Sequence, residues 1–80
     1  MFLRRLGQYD MNLCPGGHSC PQILETQNHN FAAVGMLITG QAREAIKALP
    51  PGPGIGPTEG VVEVPRAVMI AAMVDILRAA

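Results

Sequence analysis

The stretch PQILETQNHNFAAVGMLI, residues 21–38, decides the fold of this chain. Residues 21–27 read as a short β-strand whose side chains alternate between its two faces. Residues 28–30, Asn-His-Asn, predict a tight turn, because asparagine tolerates the left-handed backbone that such turns require. The apolar run at residues 31–38 predicts the return strand of a β-hairpin. Gly35 inside that strand indicates either a bulge or the close approach of another backbone segment.

A short amphipathic helix is predicted directly after the hairpin. Thr39 is a typical N-cap residue, because its hydroxyl can accept a hydrogen bond from a free N–H of the first turn. Residues 40–49 would form the helix, and Pro50 would end it, since proline disfavours helical geometry in the residue before it. The apolar side chains follow the i, i+3, i+4, i+7 spacing of a single stripe, namely Ala42, Ala45, Ile46 and Leu49.

The second half of the chain adds a linker, a strand and a helix. Residues 50–57 contain four prolines and three glycines. This favours an extended linker over a phosphate-binding loop, because proline lacks the N–H that would bind phosphate. Residues 61–64 are rich in β-branched side chains and predict a third strand, which we expect to pair with the hairpin. Pro65 suits the first turn of a helix, which is predicted to run from Arg66 to the C-terminus.

These elements predict an α+β domain of order ββαβα, in which a three-stranded, mainly antiparallel sheet packs on one or two helices. The 80 residues suffice for one small domain with a thin core. We expect residues 20–80 to form this domain and residues 1–19 to be a flexible or loop-rich N-terminal extension. The first ten residues differ in character from those that follow, and Met11 would serve as a start as well as Met1.

The predicted last helix is apolar on nearly all sides. Its large side chains follow a helical spacing that predicts the face toward the core: Met69, Ile70, Met73, Ile76 and Leu77. Four further apolar residues point elsewhere and form a candidate interaction surface: Val68, Ala71, Ala72 and Val74. A homodimer or a partner protein would cover this surface, with methionine providing adaptable contacts. Alternatively, the small side chains are exposed without consequence, since isolated exposed apolar residues are normal.

Both cysteines and both histidines lie within residues 14–29. A structural zinc site needs four such ligands in a tetrahedron, and the candidates are Cys14, His18, Cys20 and His29. Their spacing departs from a standard zinc knuckle, because only one residue separates His18 from Cys20. A disulfide between Cys14 and Cys20 is geometrically possible, and two reduced cysteines with two surface histidines are the third interpretation. The sequence indicates no other cofactor.

Charge and hydropathy exclude several classes of function. Six basic and six acidic residues give a net charge of zero, whereas binding to nucleic acid requires a basic face. The longest apolar run, residues 67–74, is far shorter than the ~20 residues of a transmembrane helix, so we expect no membrane contact. The N-terminus lacks the apolar run of a signal peptide. This favours a cytoplasmic location, where thiols are normally reduced.

An enzymatic function is not predicted. Cys20 has His18 nearby as a base, and Glu25 or Asp10 would have to orient that base for nucleophilic catalysis. A small domain with a thin core offers little concave volume for a substrate, however. We therefore expect a protein that is not an enzyme.

Several short motifs resemble a loose group of short, uncharacterised actinobacterial proteins. The motifs are a Cys20-Pro21 start, a hairpin whose return strand ends in Ile38-Thr39, and the pattern Val-x-Val-Pro at residues 62–65. The resemblance covers about residues 20–70. It implies an accessory or regulatory role, with a helix-turn-helix regulator encoded nearby as a partner. This chain departs from the group by carrying residues 1–19, which include Cys14 and His18, ahead of the Cys-Pro motif.

Two hypotheses from different classes follow. The favoured one is a non-catalytic protein–protein interaction or regulatory accessory module that self-associates through its C-terminal helix. The alternative is a small zinc-binding structural module built on the four cysteine and histidine side chains. The first requires an exposed apolar surface, and the second requires that the four ligands meet at one point.

Overall fold

A computed structural model describes residues 1–7 and 20–79 of the chain. The elements are β1 (Phe2–Leu6), β2 (Gln22–Thr26), β3 (Phe31–Val34), β4 (Met36–Leu37), α1 (Thr39–Ala45), a 3-10 turn (Ile46–Ala48), β5 (Val62–Glu63) and α2 (Arg66–Ala79). The first three strands form an antiparallel sheet, and β4 and β5 form a separate two-stranded sheet. The predicted α+β class is confirmed, but the described part of the chain has two more strands than predicted.

The central hairpin is confirmed. β2 and β3 pair antiparallel, with Gln22 opposite Val34 at the end away from the turn. In the turn, the amide of His29 donates to the carbonyl oxygen of Thr26 at 2.9 Å. His29 itself adopts the left-handed backbone, with φ of 64°. The residue of the turn with the left-handed backbone is therefore His29, which lies between the two asparagines.

The third strand of the main sheet comes from the N-terminus and not, as predicted, from residues 61–64. β1 pairs with β2 on the edge opposite β3, with Leu6 facing Ile23. The Nε atom of Arg4 donates to Oε1 of Glu25 at 2.8 Å across this pair. The prediction missed β1 because two adjacent arginines break the alternation of polar and apolar residues. The expected N-terminal extension thus starts with a strand, and its remaining part lies outside the described residues.

Gly35 marks the point where the return strand leaves the main sheet. A Cβ atom there would overlap the carbonyl oxygen of Glu63 and lie 2.9 Å from Cγ1 of Val64. The predicted close approach of another backbone segment is therefore confirmed. Beyond Gly35, β4 pairs with β5, with Met36 opposite Glu63. The strand predicted at residues 61–64 thus pairs with the end of the return strand, in the second sheet.

α1 begins at Thr39, and its capping differs from the prediction. The N-cap residue is Ile38, and no side chain caps the helix. The Thr39 hydroxyl instead accepts a hydrogen bond from the amide of Val61 at 3.0 Å, because the segment before β5 lies beside it. The helix gives way to the 3-10 turn Ile46–Ala48, and neither element contains a buried residue. The apolar side chains predicted to form one face of this helix therefore remain largely exposed to solvent, with Leu49 64% exposed.

α2 follows the predicted boundaries and packs on the main sheet through its smallest side chains. Ala72 is fully buried in the core. A Cβ atom on Gly7 would lie 2.9 Å from the main chain of Ala71, so the end of β1 touches the helix directly. The amide of Gly7 donates to Oδ2 of Asp75 at 2.6 Å. This backbone contact and this hydrogen bond thus add to the burial of Ala72 in docking the helix.

The core around this contact is small. Within the described residues, three buried side chains form its centre and three partly buried ones pack against them: Leu6, Ile23 and Ala72, then Val64, Val68 and Ile76. No large side chain among the described residues is fully buried. Burial contributes roughly 25 cal/mol per Å² of apolar surface. Because this core is small, we expect the free energy of unfolding to be low.

We expect Gly7→Ala to destabilise the fold. The new methyl group would collide with Ala71, and the φ of 77° at Gly7 disfavours any side chain. The left-handed backbone alone costs about 1–2 kcal/mol, so we expect a loss of at least that size in the free energy of unfolding, measured by urea denaturation. Gly40→Ala is the matched control, because a Cβ atom there meets nothing within 4 Å. Equal losses in the two variants would contradict the close contact.

Candidate functional site

The exposed face of α2 is the strongest candidate for a functional site. Met69, Ile70, Met73 and Leu77 are 40%, 52%, 49% and 71% exposed, and we call these four residues the apolar stripe. Their spacing predicted that they face the core, and that prediction is wrong. Of the predicted core residues of this helix, Ile76 is the one that packs against the core cluster.

The predicted interaction surface is wrong for most of its members. Ala72 is fully buried, and Val68 packs against the core cluster. Ala71 is partly buried, and its Cβ lies 2.9 Å from the position of a Cβ on Gly7. Val74 remains exposed, at 41%. The helix therefore buries most of the residues that the sequence pattern left outside and exposes most of those that the pattern placed inside.

Side-chain size explains this exchange of faces. Transfer free energy favours burial of the larger apolar residues, but β1 approaches α2 so closely that only a small side chain fits at the contact. A methionine in place of Ala71 would push the helix away from Gly7 and break the hydrogen bond to Asp75. In the sequence, Asp75 is the residue that could have indicated the buried face of α2. A single carboxylate within an apolar helix needs a polar partner if its face is buried.

The apolar stripe carries no charge along its length. Between Arg66 and Arg78, Asp75 is the one charged residue of α2, and it bonds to Gly7 on the buried side. The members at positions 69, 73 and 77 are four residues apart, so they stack in one row along the helix. A contiguous apolar row of this kind on a small domain is typical of an interaction surface.

Apolar surface is also exposed on the sheet beside α2. The helix starts near Gly35, at the end of β3, and reaches Gly7, at the end of β1. It therefore crosses one end of the sheet. Phe31 lies at the other end, on the same face as Ile23, because it pairs with Glu25 two residues further along β2. Phe31 is 53% exposed, so the helix leaves that end of the face open.

A polar cluster occupies the open end of this sheet face. Glu25 accepts a hydrogen bond from Nε of Arg4 at 2.8 Å, and Nδ1 of His29 lies 3.2 Å from its other carboxylate oxygen. The hydrogen bond from Arg4 and then the one from His29 lower the pKa of the Glu25 carboxyl. These contacts fasten β1 and the hairpin turn to β2, which is a structural role.

The four candidate zinc ligands are not all brought together. Cys20 lies just before β2, whereas His29 lies in the turn after it. A five-residue strand is about 17 Å long, and zinc ligands lie within about 2.3 Å of the ion, so one ion cannot contact both side chains. Cys14 and His18 lie outside the described residues. Within residues 1–7 and 20–79, no three Asp, Glu, His or Cys side chains cluster closely enough for a metal ion.

Cys20 is buried, with 7% of its surface exposed, and its sulfur is in a disulfide bond. Cys14 is the other cysteine of the sequence. A disulfide removes the thiolate that a zinc site would need from Cys20. The cytoplasmic location stays a prediction. Neither α1 nor α2 combines the length and apolar character that crossing a membrane requires.

The Glu25 cluster predicts an acid-sensitive contribution to stability. Because the folded pKa of Glu25 lies below the ordinary value of 4.5, the ion pair stabilises the fold above that pH and is lost as pH falls through the folded pKa. We expect Glu25→Gln to lower the free energy of unfolding at neutral pH and to leave it nearly unchanged in strong acid. Glu44→Gln, at an exposed pair with Lys47, is the control. A Glu25→Gln deficit that is the same at both pH values would contradict this assignment.

The state of the cysteines separates the disulfide from the zinc alternative. The cells are lysed in denaturant that contains the alkylating reagent, so that the reagent reaches every free thiol. We expect Cys20 to carry no label under these conditions, and to be labelled when the protein is reduced before alkylation. Mass spectrometry measures both. A labelled Cys20 together with one equivalent of bound zinc would contradict the disulfide and support the zinc alternative.

Comparison of the chain with models of protein families, with curated proteins and with solved structures finds no match. The resemblance to the group of short actinobacterial proteins therefore stays a prediction. The assignment of function thus depends on the chemistry of the described surface alone.

Proposed function

We propose that this protein is a non-catalytic interaction module that self-associates through the apolar stripe of α2. The observation that carries the proposal is the exposure of four large apolar side chains on α2, on the side of the helix away from its core contacts. Leaving such side chains in water costs free energy that a partner surface would recover, at roughly 25 cal/mol per Å² buried. Methionine contributes two of the four, and its flexible thioether adapts to a facing surface.

A second copy suits the stripe better than a charged partner. An apolar row without charge offers no counter-ion to a basic or acidic surface, and an unpaired charge buried against it would be destabilising. An identical apolar row satisfies both surfaces at once, as in the isologous interfaces of symmetric dimers. The resemblance to the actinobacterial group adds the proposal that the dimer serves as an accessory to a helix-turn-helix regulator.

We expect Met73→Glu to convert a dimer into a monomer. Each interface would bury two carboxylates without partners, which raises the dissociation constant at least about 100-fold. Size-exclusion chromatography with light scattering at tens of micromolar measures the mass, and circular dichroism checks that the fold is kept. Ala67→Glu is the matched control, because Ala67 is exposed and lies about 120° around the helix from Met73. An unaltered protein that stays at 8.5 kDa, or a Met73→Glu variant that stays dimeric, would overturn the proposal.

A further inference from the structure

We infer that the second copy docks with its α2 antiparallel to the first, so that the two helices cross at Met73 next to a two-fold axis. This inference rests on the proposed self-association and adds the orientation and register of the two helices. Three features of α2 carry it: the spacing of the apolar stripe, the position of Arg66 and the covered flank at Ala71.

Three of the four stripe residues are spaced symmetrically about Met73. Met69 and Leu77 lie four residues before and four residues after it, in one row along the helix. In an antiparallel pair centred on Met73, Met69 of one copy meets Leu77 of the second copy, and the two Met73 side chains meet each other. Every large side chain of the row thus contacts an apolar side chain, as a self-complementary interface requires. Rows of i±4 side chains are the ridges through which helices commonly pack.

Arg66 disfavours the parallel arrangement. It lies seven residues before Met73, almost in line with the row, because seven residues are close to two full turns. A parallel pair would place the two Arg66 side chains against each other, and like charges at an interface oppose association. In the antiparallel pair, Arg66 lies beside the C-terminal end of the second helix. The free carbonyl groups there carry a partial negative charge that favours a cation. Arg78 lies in the same turn, but it is about 140° around the helix from Met73 and therefore off the row.

The covered flank restricts the approach of the second copy. Gly7 and the end of β1 lie against Ala71 and bond to Asp75, so a second helix cannot approach from that side. Met73 lies about 160° around the helix from Ala71, on the side opposite this contact. The free side of α2 is therefore the side that carries the row.

Cross-linking between introduced cysteines tests the orientation. Met73→Cys, Met69→Cys and Leu77→Cys are made singly in the full chain, and the mass of each variant is first measured by light scattering. A short bismaleimide then joins free thiols and leaves the native disulfide intact. We expect Met73→Cys to cross-link to itself, and a mixture of Met69→Cys with Leu77→Cys to cross-link across the two variants. Each should exceed the yield of Ala67→Cys at least about ten-fold, because the interface raises the effective thiol concentration.

The outcomes distinguish the two proposals. A dimer in which Met69→Cys and Leu77→Cys each cross-link to themselves, and not to each other, would overturn the antiparallel arrangement while leaving self-association in place. A dimer whose cross-linking yields at positions 69, 73 and 77 do not exceed that of Ala67→Cys would overturn the stripe as the interface. A monomer for the unaltered protein would overturn the proposed function itself.

Discussion

The contact between Gly7 and α2 is the constraint on which the rest of the structure depends. Because the amide of Gly7 bonds to Asp75 and its backbone touches Ala71, the helix is held in one rotation about its own axis. That rotation buries Ala72 and turns the apolar stripe outward. The exposed surface that we interpret as an interface is thus a consequence of how the helix docks, and not of a surplus of apolar residues alone.

Local features of the fold follow from the sequence, and the long-range ones do not. The hairpin and the boundaries of α2 depend on neighbouring residues, and the sequence predicts both correctly. The pairing of β1 with β2 depends on residues about twenty positions apart, such as Arg4 and Glu25. The buried face of α2 depends on Gly7, a residue far away in the sequence. Periodicity measures which residues are apolar, and it contains no information on how closely another backbone approaches.

The predicted zinc site depends on long-range geometry in the same way. The clustering of cysteines and histidines within residues 14–29 suggested proximity, but a strand separates residues that are close in sequence. Cys20 and His29 lie at the two ends of β2, and each belongs to a different local arrangement. Cys20 is buried in a disulfide, and His29 completes the hydrogen bonds of Glu25. Proximity in a sequence indicates a shared site only where the backbone turns back on itself.

The contact of Gly35 with Glu63 and Val64 also has a topological meaning. The chain leaves the unit formed by β1, β2, β3 and α2 at Gly35, and it re-enters that unit at Val64, in contact with its point of departure. Residues 36–63 therefore form a loop-like segment whose two ends lie in contact. The entropic cost of closing such a loop depends only weakly on its length. This part of the chain is free to lengthen, shorten or acquire new sequence while the sheet and α2 keep their places.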